Sequence, residues 1–231
     1  MAGGTRVRID DGIARIEIDD GKVNALSAEL LGEIGEALDA AEKADAAAVV
    51  LRGRPGVFSA GFDLRTFERG LEPTLAMLLA GARLVERLLA FPRPVLAVCT
   101  GHAYPAGAFL LLASDVRFGV AGPFRIGLNE SAIGLTLPYF AVELTRHRLA
   151  PAGFARIPSA ALFAPEEAAR LGYLDRVLEP ARLDAAVDEE AARLRALHLP
   201  HFAATKARVN ARVLDAVRSA ADEELAAALR G

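Results

Sequence analysis

Cysteine is nearly missing from this chain, tryptophan is missing altogether, and neither sign of charge dominates. A single cysteine, Cys99, in 231 residues excludes an internal disulfide and fits a reducing compartment. Its setting in the apolar run 94–99 reads as that of a small buried hydrophobe. A formal charge of -3 offers no electrostatic footprint for nucleic acid. His147, His198 and His201 show no metal-ligand spacing among themselves or with Cys99, so no metal site is expected. The longest apolar run, residues 106–113, is far too short to cross a bilayer, and residues 1–10 lack the apolar stretch of a signal peptide. The expectation is a cytoplasmic protein with no membrane attachment. Phosphate-binding glycine loops, dinucleotide fingerprints and low-complexity tracts are missing too.

What is there is an ordinary globular balance, 53% apolar and 25% charged, in a chain long enough for a good core. Residues 6–10 and 13–18 alternate apolar with polar around Asp10, Asp11 and Gly12, the pattern of a β-hairpin. Ser27 is placed as the N-cap of a helix whose apolar positions Leu30, Leu31, Ile34, Ala37, Leu38 and Ala41 recur at helical spacing. Continuous apolar runs at 47–51 and 95–99 read as buried strands, with a helix over 75–90 between them. Pro105 suits the first position of a helix over 106–113. Strands over 115–118 and 173–178 and helices from Pro151 and over 166–171 follow. Strands thus alternate with helices to about residue 180, and only helices, over 184–197 and 202–229, come after. That is an α/β protein with a carboxyl-terminal helical extension. The amphipathic faces of those last helices call for a partner, either this core or a neighbouring subunit.

Two stretches about forty residues apart carry the chemistry. In the first, Gly56 to Asp63, small Ala60 and Gly61 follow Phe58 and Ser59 and would let a ligand approach the main chain. Taken alone it reads as a surface turn, tied down by Asp63 accepting backbone N–H bonds. In the second, Pro105, Ala106 and Gly107 open an apolar helix, which gathers unpaired N–H groups and the positive end of a helix dipole. As a pair they fit two N–H donors converging on one oxygen anion. Glu130, set among Gly127, Leu128, Asn129 and Ser131 to Gly134, lacks the charged neighbours found elsewhere, and such surroundings raise a carboxyl pKa and suit it to proton transfer. A carboxylate beside an oxyanion hole describes an enzyme that makes and protects an enolate. His102 reads as a structural hydrogen-bonding residue.

These residues resemble the crotonase superfamily, the enoyl-CoA hydratases and isomerases, over nearly the whole chain: 24–26, 58–63, 101–115, 127–134 and 206–210. The resemblance implies a spiral of strand–strand–helix turns over residues 1–180 and a helical region at 181–231 that mediates homotrimers or hexamers. It also implies an acyl-CoA site, with coenzyme A entering as part of the substrate and no separate cofactor. By position, the N–H groups of Ala60 and Ala106 form the hole. Lys22, Val23, Ala25, Phe58, Phe62 and Asp63 line the path of the adenine and pantetheine, and Lys206 meets the CoA phosphates. Phe109, Leu135 and Tyr139 shape the acyl pocket. Hydratases of the family carry two glutamates. The first falls here at Phe109, and only the second survives, as Glu130. One carboxylate suffices to shift a double bond from the 3- to the 2-position, which favours an isomerase. A hydratase or other lyase of the family, and a catalytically silent acyl-CoA-binding protein, are the alternatives.

Overall fold

The computed structural model describes residues 4–228, the side chains of 221 and 224–228 apart. Strands β1 (Thr5–Asp10) and β2 (Ile13–Ile18) form the hairpin read from the alternation, closed by Asp11 and Gly12, both at positive φ. β2 then pairs in parallel with β4 (Ala48–Gly53), followed by β7 (Val95–Cys99), β9 (Val116–Val120) and β12 (Arg176–Leu178). The second strand of each turn goes elsewhere. β5 (Gly56–Ser59), β8 (Gly101–Ala103) and β10 (Ile126–Gly127) run parallel in a second sheet that ends on antiparallel β11 (Leu162–Phe163). β3 (Ala25–Leu26) and β6 (Gly61–Phe62) form a two-stranded parallel pair. The chain therefore climbs as a spiral, each turn giving one strand to the large sheet and one to a smaller sheet before a helix.

Helices α1 (Ala28–Lys43), α2 (Leu64–Phe67), α3 (Leu71–Ala90), α4 (Pro105–Ala113), α5 (Tyr139–Arg148), α6 (Pro151–Phe154), α7 (Pro165–Leu171), α8 (Pro180–Arg195) and α9 (Leu199–Ala228) complete the order. Ser27 caps α1, its Oγ accepting from the Leu30 N–H at 3.2 Å. The main core lies between the large sheet and helices α1, α3 and α4. On the other face of the sheet, α8 lays Leu183, Val187, Ala191 and Leu194 over Val50, Leu96, Val98 and Phe118. α9 packs on α3 and α5 and buries Val213, Leu214, Val217 and Ala220 in the main core. Among the described residues, both helices thus lay buried apolar residues on this chain's own core.

Two readings are corrected. Residues 56–59 are not a surface turn but a strand, with Phe58 and Ser59 fully buried, because β8 offers it a parallel edge. Helix α5 went unread, although Phe140, Ala141, Leu144 and Thr145, its buried residues, stand at helical spacing after Pro138.

Candidate active site

The site is assembled where β6 crosses the start of α4, and its scaffold is a knot of buried polar side chains. Asn24, fully buried and at φ 54°, donates from Nδ2 to the carbonyls of Ile18 at 2.8 Å and Phe58 at 3.0 Å. The Ser59 hydroxyl donates to the Asn24 carbonyl at 2.7 Å and accepts from the Gly61 N–H at 3.1 Å. Two glycines allow the crossing. A Cβ on Gly107 would fall 2.7 Å from the Ser59 Cβ, so only glycine lets α4 approach β5 this closely. Gly61, at φ +91°, brings its backbone against Pro105, with the Ala106 nitrogen 3.6 Å from where a Cβ would stand.

Helix α4 begins at Pro105, and the side chain of its N-cap residue, Tyr104, makes no capping hydrogen bond. The Ala106 N–H lies in the first turn, where the helix itself supplies no acceptor. The second donor is not the one expected. The Ala60 N–H already donates to the Val23 carbonyl at 2.9 Å. The Asp63 N–H donates to the Leu26 carbonyl at 3.2 Å, with Leu26 opposite Phe62 in the register, so Asp63 faces β3. Alternate N–H groups of a strand point to opposite edges, and the Phe62 N–H therefore points away from β3, to an edge that carries no strand. The register thus points to Phe62 and Ala106, rather than Ala60 and Ala106, as the candidate pair of donors.

Phe62 lines an apolar cavity of about 240 Å³, together with Ala60 and Gly61 from the first stretch and Tyr104 and Pro105, the residues just before Ala106, from the second. Its far side is built from Asn129, Glu130, Leu135 and Pro138, together with Leu64, Phe67 and Leu78. Glu130, the only carboxylate among the lining residues, opens the 3-10 turn Glu130–Ile133. Its side chain is buried, 7% exposed as a residue, and Oε1 has no hydrogen-bond partner. Burial raises its pKa to about 7, opposed only by a hydrogen bond from its own backbone. Tyr173, buried nearby, has its phenol pushed upward by burial first and by the Glu130 charge second. Such a carboxyl is divided between acid and base near neutral pH, the condition for taking and returning one proton.

Several expected site residues stand elsewhere. Lys206 is buried in an ion pair, Nζ to Asp115 Oδ2 at 2.7 Å, a structural tie between α9 and the segment that follows α4. Phe58 faces the core. Lys22 and Val23 are exposed and lend their carbonyls to Arg54 Nη1 and the Ala60 N–H. Asp63 caps α2, accepts from the Arg65 N–H at 3.2 Å, and pairs with the Arg65 guanidinium. Its pKa is lowered, first by that side-chain bond. Ala25 lies with Asp63 along a separate shallow groove. Phe109 is a core residue, edge-on to Phe62 at 6.2 Å and to Phe140 at 5.6 Å, behind the cavity wall rather than on it. Leu135 lines the cavity, and Tyr139, half exposed at the start of α5, does not. His102 accepts the Arg125 N–H at 3.1 Å, a structural bond. Tyr104 and Asn129 were missed. Tyr104 was legible as the extended residue before a helix-opening proline.

The enoyl-CoA hydratase/isomerase family model matches residues 8–228. The chain belongs to this family. A Pseudomonas syringae structure, described as an enoyl-CoA hydratase/isomerase family protein, is 39% identical with a TM-score of 0.93, covering 95% of this chain and 96% of that one. A Mycobacterium tuberculosis protein, described as an enoyl-CoA isomerase in one structure and as a probable enoyl-CoA hydratase in another, is 37% identical in the first at the same TM-score, covering 98% of this chain and 99% of that one. A Bacillus subtilis relative, named a probable enoyl-CoA hydratase, is 32% identical over 136 residues, 58% of this chain. That match spans about half of the relative, 52% of its length. The family thus accounts for the spiral fold seen here, while the names of its members divide between two reactions.

Proposed function

We propose that this protein is an enoyl-CoA isomerase that moves the double bond of a 3-enoyl thioester to the 2-position. The observation that carries the proposal is Glu130, the one carboxylate in an apolar cavity, with an oxygen unclaimed by the protein and a pKa near 7. The thioester carbonyl accepts hydrogen bonds from the N–H groups of Phe62 and Ala106. Glu130 takes a proton from C2, the electron pair delocalises to the carbonyl oxygen and C4, and the dienolate rests in the hole. The protonated Glu130 then returns the proton to C4, and the double bond settles between C2 and C3. No atom enters or leaves overall.

Addition of water asks more. A water molecule must be held and deprotonated while a second proton is delivered, and family hydratases share that work between two glutamates. Phe109 fills the first position here with an apolar ring packed between Phe62 and Phe140, where an ordered water would lack polar partners. The name of the Bacillus relative favours the hydratase as the second reading.

One experiment separates them. Purified protein is given a 3-enoyl-CoA and, separately, a 2-enoyl-CoA, with the conjugated thioester absorbance followed in time. Absorbance appearing from the first substrate, and lost in Glu130→Ala, is the expected result. Absorbance lost from the second, with a 3-hydroxyacyl product and no reaction of the first, would overturn the isomerase in favour of the hydratase.

A further inference from the structure

The wall behind Phe62 has an unusual construction. Gly81 lies buried in the middle of α3, and a Cβ built there would stand 2.7 Å from Phe62 Cζ and 2.8 Å from Cε1. The Phe62 ring thus occupies the space that any other residue at 81 would fill. On its next side the ring meets Phe109 edge-on at 6.2 Å, and Phe109 meets Phe140 at 5.6 Å. Phe140 Cζ closes the triangle, 3.9 Å from the same Gly81 position. Gly81, Phe109 and Phe140 are all buried and lie outside the cavity lining, whereas Phe62 lines it. With Gly81 behind it and Phe109 beside it, the ring has its open side toward the cavity.

We propose that Gly81 is a specificity-determining residue acting through Phe62, and that the depth to which the Phe62 ring retreats onto α3 limits the length of the linear aliphatic acyl chain the cavity accepts. The proposal rests on reading the cavity as an acyl-CoA site. The ligand class follows from the wall: besides Phe62 it includes Leu64, Phe67, Leu78, Leu135 and Pro138, which offer no charge and favour a hydrocarbon over a charged chain. Phe62 then has two separable parts. Its N–H belongs to the anion-binding pair and its ring sets the depth, so the ring can be altered while the donor remains.

The test uses binding of saturated acyl-CoAs of four to twelve carbons, measured by calorimetry, which requires no turnover. Gly81→Ala pushes the ring forward and is expected to weaken the longest chain that the wild type binds by roughly tenfold or more relative to the four-carbon chain, the scale of one or two methylenes in an apolar pocket. Phe62→Ala removes the ring and is expected to shift the optimum to longer chains. In the double variant the added methyl no longer meets a ring, so Gly81→Ala should have no further effect on the length profile. A merely destabilising role for Gly81 would lower affinity for every chain alike and would not be cancelled by Phe62→Ala. Length profiles that track the wild type in Phe62→Ala, or in folded Gly81→Ala, overturn the proposal. Absence of binding by any acyl-CoA overturns both this proposal and the reading of the site. A shifted length profile without catalysis of the 3-enoyl substrate leaves this proposal standing and removes the isomerase alone.

Discussion

Asp115 and Glu130 are both largely withdrawn from water and are treated in opposite ways. Asp115, just after α4, accepts from the Val95 N–H at 2.9 Å and from Lys206 Nζ at 2.7 Å through the same oxygen. Glu130 lies in an apolar cavity with Oε1 unclaimed. In the first case the desolvation of the acid is offset by a cation and an N–H donor, and the result is a fixed joint between α9, β7 and the end of α4. In the second the cost stands, and it appears as a pKa raised to about 7. Burial alone does not mark a reactive acid. What marks it is burial without a partner, at a surface a ligand can reach.

Removing the two acids should therefore fail in different currencies. The largest effect is expected for Glu130→Gln, which keeps the shape and removes the base: kcat/KM for a 3-enoyl-CoA should fall by about 10²- to 10⁴-fold, with acyl-CoA affinity retained in calorimetry. Asp115→Ala comes next and leaves the Lys206 ammonium, 4% exposed, without its carboxylate. A stability loss of about 3–5 kcal/mol is expected in urea unfolding, with the folded fraction still turning over substrate. A result in which Asp115→Ala loses rate but not stability would break the contrast.

The pH dependence sharpens it further. Glu130 holds its proton up to about pH 7 when folded, whereas its ordinary value is 4.5. The folded state therefore gains stability that is complete below pH 4.5 and is lost as pH rises through 7. Relative to Glu130→Gln, which cannot ionise, the wild type should lose about 3 kcal/mol between pH 4.5 and 8.5. Because the base must be ionised to accept the first proton, kcat/KM should fall on the acid side of about pH 7. Parallel stability curves for the two proteins would mean that the carboxyl finds a partner in solution. Lys206→Met is expected to have the smallest effect, about 2 kcal/mol or less in the same unfolding experiment, since Asp115 keeps its Val95 bond and some contact with water.

Much of this architecture could be read from the residues because the deciding forces are local. Alternation with Asp11 and Gly12 gave the hairpin, Ser27 the start of α1, and Pro105 the start of α4. Glu130 was recognisable from the lack of charged neighbours. The misreadings concern tertiary pairing. Which N–H of residues 60–63 remains free depends on the register with β3 and on the Val23 carbonyl, and neither leaves a trace in the composition of the loop. Lys206 looked available because its partner, Asp115, is 91 residues away in the chain. Phe109 was rightly seen as apolar, yet its place behind Phe62 follows from the packing of α3 and α5 against α4.

Helix α4 has no polar side chain from Pro105 to Ala113, and Arg148 closes its far end, donating to the carbonyls of Leu112 at 2.8 Å and Ser114 at 2.9 Å. Whatever this helix gives to a bound anion comes from its main chain. A group of that kind survives almost every single-codon change, since nineteen of the twenty residues present the same N–H and only proline withholds it. Selection on this segment therefore acts on volume and not on chemical identity. Apart from Gly107, where a Cβ has no room, a residue here can change its side chain while the chemistry of the helix end stays constant.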